Sequence, residues 1–435
     1  MNLRDFLQKH SLSEGQLVKI TDGEKQFTGY ILPAPEKGGN ILRLKLKSGY
    51  NVGVAVNDSF HAQKLGEEKK VGKQQKAAAK QNLSLPKIAI LHTGGTIASR
   101  VNYSVGGVKA SFDAEDLLTI FPELFSIAQI DSVFVANMMS EDMRITDYQK
   151  ISHAVFEQVK KGAKGVIIGH GTDMLGYSAA ALAFELENCP IPVLIVGAQR
   201  SSDRGSSDAA MNLICAATFI SKTEFKGVAV CMHNSSADDE CAILPATKVR
   251  KMHTSRRDAF KAVNDTPIAL VNYSTKEIKW LRDKAPFENA SGEFKVLSKF
   301  EEKVGILKMH PFVSEKELEF YWKEKYHGLI IEATGLGHTP VRENDSFVLK
   351  IKELVDSGCV VGITSQCLYG RVNPQVYTNL RKVASTGAIY REDMLPETAL
   401  IKLSWLLGNF GKEKAKELLA VNLRGEIGEF SKYAQ

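Results

Sequence analysis

The chain has 435 residues, 44% of them hydrophobic and 24% charged, with a formal net charge of +6. That length predicts two or three domains with ample soluble cores. No run of about 18 apolar residues occurs, which argues against a membrane span, and so small a charge permits a nucleic-acid partner without arguing for one. The N-terminal MNLRDFLQKHSLSEG lacks the apolar stretch of a signal peptide. Six scattered cysteines (Cys189, Cys215, Cys231, Cys241, Cys359, Cys367) form no CxxC pair. They read as buried thiols rather than as disulfides or a zinc site, so the predicted location is the cytoplasm.

Residues 1–63 predict a small β-barrel. Gly15 to Thr21, Lys25 to Leu32, Ile41 to Leu46 and Val52 to Val56 mix apolar and polar residues, and turn signals such as Thr21-Asp22-Gly23 separate them. Residues 64–85 follow as a linker; its stretch 64–80 carries six lysines and no aromatic residue. From residue 86 the pattern becomes α/β. Strands are predicted at 87–91, 131–136, 165–169, 192–197, 227–231 and 268–271, with helices at 147–161, 174–187 and 206–221. Such alternation predicts a parallel sheet covered on both faces, here over 86–280. A polar stretch at 275–294 breaks the pattern. A second, smaller α/β domain is predicted over 300–435, with strands at 303–309, 328–333, 359–363 and 386–390 and helices at 346–357, 376–382, 396–407 and 412–422. The fold class is thus α/β: two α/β domains behind a small barrel.

Two strand ends carry chemistry. KIAILHTGGTIA (87–98) predicts a strand that stops at once in Thr93-Gly94-Gly95-Thr96. GVIIGHGTDMLGYSAAA (165–181) predicts a strand ending in Gly169-His170-Gly171, followed by Thr172 and Asp173. Ligands of open α/β sheets bind at the carboxyl ends of the strands. A hydroxyl there binds, or attacks a carbonyl once a base activates it. Read alone, TGGT is also a turn with structural glycines, and Thr172-Asp173 is also an N-cap. The repeated arrangement is what neither reading explains.

TGGTIA and HGTDxxxxSA together resemble the two signatures of L-asparaginase/glutaminase-type amidohydrolases, over roughly residues 86–425. Lys251 opens KMHTSRRDAFKAVN (251–264), similar to the stretch bearing that family's catalytic lysine. NYSVG (102–106) resembles its mobile lid, and Ser140-Glu141-Asp142-Met143 resembles its substrate-binding turn. The resemblance implies that Thr96 is the nucleophile, supported by Thr172, Asp173 and Lys251. Lys251, in its neutral form, would take a proton through Thr172 and orient the attacking water. Asp173 would hold either Lys251 or the substrate α-amino group. Ser140 and Glu141 would bind the substrate's α-carboxylate and α-amine; Glu141 departs from the Gln common at that position. Tyr103 falls where the lid tyrosine lies. The acidic residue that some members borrow from a neighbouring protomer has no clear counterpart, since Glu392 and Asp393 match it poorly. Without the resemblance, Lys251 among Lys248, Arg250, Arg256 and Arg257 reads as a solvated charged face. His92 and His170 read as core or supporting residues. No H-E-x-x-H or Cys/His ligand pattern exists and no P-loop, so neither a catalytic metal nor ATP is expected on this chain.

Simple members of that family begin almost directly at the first strand. Here everything up to Pro86 precedes it. A barrel and lysine-rich linker ahead of TGGTIA resemble the D-subunit family of archaeal glutamyl-tRNA(Gln) amidotransferases. ATGLGHTP (333–340) and SQCLYGRVN (365–373) fit as well. This implies a glutaminase that releases ammonia. A partner E subunit, using ATP and Mg, would phosphorylate Glu-tRNA(Gln) and accept the ammonia. It also implies a homodimer of this chain within a heterotetramer that meets tRNA(Gln), the basic linker serving as a phosphate contact or as a plain tether. The rival reading is a stand-alone cytoplasmic L-asparaginase with an added domain. A non-catalytic amino-acid-binding regulator is disfavoured, because a binder needs no nucleophile.

Overall fold

The computed structural model describes residues 2–22, 25–32, 40–46, 51–67, 82, 84–94, 99–102, 107–110, 121–200, 207–289 and 291–430. Five antiparallel strands, Gln16–Asp22, Lys25–Ile31, Ile41–Leu46, Asn51–Ala55 and His61–Glu67, form the N-terminal sheet. Their spatial order places the third strand beside the second and the fifth beside the first. Val18, Ile20, Leu42, Leu44 and Val54 point into one core, as period-two alternation requires. An unforeseen helix, Leu3–Lys9, adds Phe6 to that core and is capped by Asn2, whose side chain accepts from the Asp5 N–H at 2.9 Å. The last strand extends past residue 64 to Glu67; residues 68–81 and 83 of the expected linker lie outside the described residues.

The larger sheet has eight strands, in the order Ile278–Trp280, Ala269–Asn272, Glu240–Pro245, Gly227–His233, Pro192–Val196, Gly165–Gly169, Lys87–Gly94 and Gln129–Met138. The last five are mutually parallel and the first three antiparallel. Successive residues of Lys87–Gly94 enter opposite cores. Ile88 and Ile90 pack towards helix Ala209–Lys222, while Ala89 and Leu91 pack towards helices Ile145–Lys160 and Leu175–Glu185. That double burial is why these strands read as continuous apolar runs. The second strand in sequence lies on one side of the first and the third on the other. The order in which strands are added therefore reverses at Lys87–Gly94, the position where open α/β sheets form a crevice at the carboxyl ends.

Two expectations need correction. The first strand does not stop before Thr93 but runs to Gly94. The polar stretch 275–294 is not a break: Ile278–Trp280 adds an edge strand. The two helices expected at 396–407 and 412–422 are both present within Pro396–Leu418, parted at Gly411, whose φ of 77° and ψ of 177° are not helical.

The smaller sheet is parallel, with Val304–Lys308, Gly328–Ala333, Val360–Ser365 and Ile389–Tyr390 side by side in chain order. Helix Glu315–Lys323, which the sequence reading missed, packs beside helix Arg342–Asp356. Phe184 of the larger unit stacks on Trp405 of the long C-terminal helix at 5.3 Å. Next to it Glu185 is fully buried, and its carboxyl oxygens have no hydrogen-bond partner among the described residues. Burial pushes its pKa up to about 8. Among the described residues no helix is long and apolar enough to cross a membrane.

Candidate active site

The turn after strand Gly165–Gly169 delivers Thr172 and Asp173 just ahead of helix Leu175–Glu185. Lys251 arrives from elsewhere. It ends strand Val249–Lys251, which pairs with Phe260–Ala262 as a short hairpin. Val249 and Phe260 anchor that hairpin in the core shared with helix Leu175–Glu185. The outcome is contact: Lys251 Nζ donates to Thr172 Oγ1 at 2.9 Å and to Asp173 Oδ1 at 2.8 Å. Thr172 is buried, the Lys251 side chain is 16% exposed, and that of Asp173 is 67% exposed. A hydroxyl facing inward, an amine behind it and a carboxylate facing water form a graded row. Asp173 thus contacts Lys251, one of the two partners expected for it.

Ser140 opens a tight turn, Ser140–Asp142, after strand Gln129–Met138. It is buried, and its Oγ accepts from the Met174 N–H at 3.3 Å. The fit against Gly171 is close: a Cβ there would lie 2.8 Å from Ser140 Cβ. Glu141 beside it is exposed, with Oε2 3.4 Å from Ser140 Oγ. Ser140 and Glu141 therefore lie beside the Thr172 turn. Thr96 and Tyr103 lie outside the described residues.

The other hydroxyl of the first motif is occupied. Thr93 is buried, and its Oγ1 donates to the Gly169 carbonyl at 2.8 Å. His170 is fully buried, with Nδ1 2.6 Å from the Gly171 carbonyl and Nε2 3.0 Å from Met143 Sδ. Burial lowers its pKa to about 4, so at neutral pH the ring is uncharged with its proton on Nδ1. His92 Nε2 meets Ser132 Oγ at 3.1 Å. His170 thus supports its turn, and His92 links two neighbouring strands.

The basic cluster around Lys251 is not a solvated face throughout. Lys248 is 1% exposed, and its Nζ lies 2.8 Å from Asp393 Oδ2. Arg250 Nε is 3.4 Å from Glu397 Oε1. Asp393, a weak match for the acid lent to a neighbouring site, is thus enclosed within its own chain. Glu392 is paired with Arg371 at 3.3 Å.

One supporting network escaped the sequence reading. Asp208 accepts the N–H groups of Gln199 and Arg200 at 3.0 Å. Asn212 Nδ2 donates to the Gly197 carbonyl at 3.0 Å, and Asn212 Oδ1 is 2.6 Å from His233 Nδ1. The network fixes Gly197, where a Cβ would come within 2.8 Å of Thr172 Cγ2. The available signal was an Asp and an Asn four apart at a helix start, which share one face. Among the described residues no group of three or more His, Cys, Asp or Glu is placed to hold a metal.

Three family models match: "Asparaginase, N-terminal" over residues 87–286, "Glutaminase/Asparaginase C-terminal domain" over 303–419 and "GatD N-terminal domain" over 12–65. The D subunit of glutamyl-tRNA(Gln) amidotransferase from Thermococcus kodakarensis is 44% identical over 436 residues, covering 99% of this chain and 98% of its own. The chain belongs to the D-subunit family of glutamyl-tRNA(Gln) amidotransferases. The D subunit from Methanosarcina mazei, 42% identical over 96% of this chain and 98% of its own, is a further member. The fold carries the second relationship. The thermostable L-asparaginase of Thermococcus kodakarensis matches with a TM-score of 0.70 at 30% identity, covering 79% of this chain and 99% of that one. L-asparaginase I of Vibrio cholerae matches with a TM-score of 0.70 at 28% identity and the same coverage. The mixed α/β asparaginase fold is therefore extended, in this D-subunit family, by the five-stranded N-terminal sheet.

Proposed function

We infer that the chain is the glutaminase subunit of a glutamyl-tRNA(Gln) amidotransferase, releasing ammonia from glutamine for a partner subunit that converts Glu-tRNA(Gln) to Gln-tRNA(Gln). One observation carries this reading over a stand-alone asparaginase. The asparaginases are matched over 99% of their length yet reach only 79% of this chain, whereas the D-subunit relative from Thermococcus kodakarensis covers 99% of it. The remainder includes the N-terminal sheet, for which an asparaginase has no counterpart. The domain division follows the same lines as the expected 1–63, 64–85, 86–280 and 300–435, with the first boundary moved to Glu67, where the last strand of the N-terminal sheet ends. In support, the three main sheets share no strand.

In this reading the Thr96 hydroxyl attacks the side-chain carboxamide of glutamine. The carbon–nitrogen bond breaks, the nitrogen leaves as ammonia after taking a proton, and an acyl-threonine ester remains. Water then hydrolyses the ester to glutamate. Thr172 and Lys251 handle the protons, a role supported by their 2.9 Å contact. Lys251 has to shed a proton before it can accept one, and Asp173 at 2.8 Å keeps it in place. Ser140 and Glu141 would take the α-carboxylate and α-amine. Tyr103 would close the lid. The chain binds no ATP in this scheme; ATP and Mg serve the partner, a kinase/transferase E subunit. Two copies of this chain would join two partners in a heterotetramer on tRNA(Gln), in the cytoplasm.

The test uses the complex with charged tRNA. Thr96→Val should stop glutamine-dependent transamidation and leave ammonium-dependent transamidation intact, because the nucleophile serves only to liberate ammonia. Fast asparagine hydrolysis by the chain alone, indifferent to charged tRNA, would favour the stand-alone asparaginase instead.

A further inference from the structure

We propose that Asp393 is a positioning residue for Lys251, acting through Lys248 at the foot of the lysine hairpin. The proposal rests on the assignment of Lys251 as the proton-handling amine. Lys251 is the last residue of a three-residue strand, so its place is set by what holds the hairpin's two feet. Both feet are fastened to the smaller domain. At the first, the Lys248 ammonium lies 2.8 Å from Asp393 Oδ2, an ion pair not aligned as a hydrogen bond, and donates to the Asp393 carbonyl at 3.2 Å. The two side chains are 1% and 0% exposed. At the second foot, Asn264 Nδ2 donates to the same Asp393 carbonyl at 3.2 Å. Asp393 is fixed in turn by the Gly428 N–H, which donates to its Oδ1 at 2.9 Å.

A buried ion pair is weak evidence for stability, because desolvation of both charges opposes their attraction. Its better-attested use is to fix one arrangement. Here the arrangement fixed lies three residues from the amine that meets Thr172 Oγ1 at 2.9 Å. A misplacement of about 1 Å at such a group costs on the order of a hundredfold in rate. An apolar pair of the same size would keep the seam packed and let it slide.

The experiment uses the full chain in complex with its kinase/transferase partner. Glutaminase kcat, KM and the pH profile of kcat are measured for Asp393→Asn and for the double variant Lys248→Met/Asp393→Leu, with the folded fraction followed by thermal melting. A positioning role predicts that kcat falls about tenfold or more in both variants per folded molecule, that KM for glutamine stays within about twofold, and that the pH of half-maximal kcat moves. If Asp393→Asn alone does not fold, the double variant carries the test, since it leaves no charge unpaired. A folded double variant with wild-type kcat and pH profile overturns the proposal and reduces Asp393 to a counter-ion. Lys251→Met separates the two failures. If that variant is inactive while the double variant is normal, only the positioning role falls. If Lys251→Met is fully active, the assignment of Lys251 falls and takes the positioning role with it.

Discussion

The Thr93 hydroxyl donates to the Gly169 carbonyl across 2.8 Å, tying the end of one motif strand to the end of the other. Neighbouring parallel strands already share ladder bonds up to His92 and Gly169. This side-chain bond continues the connection past the point where the backbones diverge into their turns. The first threonine of TGGT therefore sets the spacing between the two turns.

Thr93→Val removes that tie while keeping the shape. The expected loss of stability is about 1 kcal/mol, typical of one buried hydrogen bond, with a larger relative loss of glutaminase kcat as the turns drift. Denaturant titration and steady-state kinetics check both. Unchanged kcat in a destabilised variant would confine Thr93 to packing.

Lys251→Met keeps length and packing and removes the amine. Loss of at least about a hundredfold in kcat is expected, the usual scale for proton-transfer groups. Lys251→Arg should fail to restore activity, because guanidinium does not deprotonate. An active arginine variant would mean that positive charge alone suffices beside Thr172.

Gly197→Ala places a methyl group 2.8 Å from Thr172 Cγ2 and 3.2 Å from Leu175 Cδ1. Contacts this short force Thr172 to move. The expected outcome is a folded protein whose kcat drops by more than its melting temperature suggests. A crystal structure of the variant with Thr172 unmoved and full activity would refute the expectation.

Glu185 gives the chain a pH signature. Its folded pKa, about 8, is raised by burial above an unfolded value near 4.5. The unfolded chain therefore releases this proton first as pH rises. Stability is full below about 4.5 and declines towards pH 8, at about 1.4 kcal/mol per unit of difference at most. Glu185→Gln removes the titration. The variant should be more stable than wild type at pH 8 by a few kcal/mol, and the advantage should vanish below pH 4.5. Parallel denaturation curves at pH 4.5, 6 and 8 decide it; an advantage that does not change with pH would show that Glu185 does not titrate as described.

Much of the fold was legible because parallel strands buried on both faces leave unbroken apolar runs, as in Ile88–Leu91 and Val166–Ile168. Among the antiparallel strands of the larger sheet, Ala269–Asn272 was legible, whereas Glu240–Pro245 and Ile278–Trp280, each preceded by a charged residue (Asp239 and Glu277), were not. At the site, Thr172 and Asp173 were legible from a local motif. Lys251 was legible only by resemblance, since nothing local aims it at Thr172, 79 residues earlier in the chain. Lys248 was misread as solvated for the same reason: its partner Asp393 lies 145 residues on. Burial of a charge depends on a distant partner, and spacing in sequence carries no trace of it. Asp208 and Asn212 went unnoticed because their partners are the backbone groups of Gln199, Arg200 and Gly197, which every sequence has, and the ring of His233, 21 residues on.

The thiols divide unevenly: five of the six cysteines are buried, and Cys367 is exposed. Cys367 borders the small cleft that Arg250 and Asn264 of the lysine hairpin also line. Maleimide reagents should therefore attach to the unaltered protein at Cys367 first. A fluorophore placed there sits on the seam between the hairpin and the smaller domain, so the natural sequence already carries a reporter for any opening of that seam.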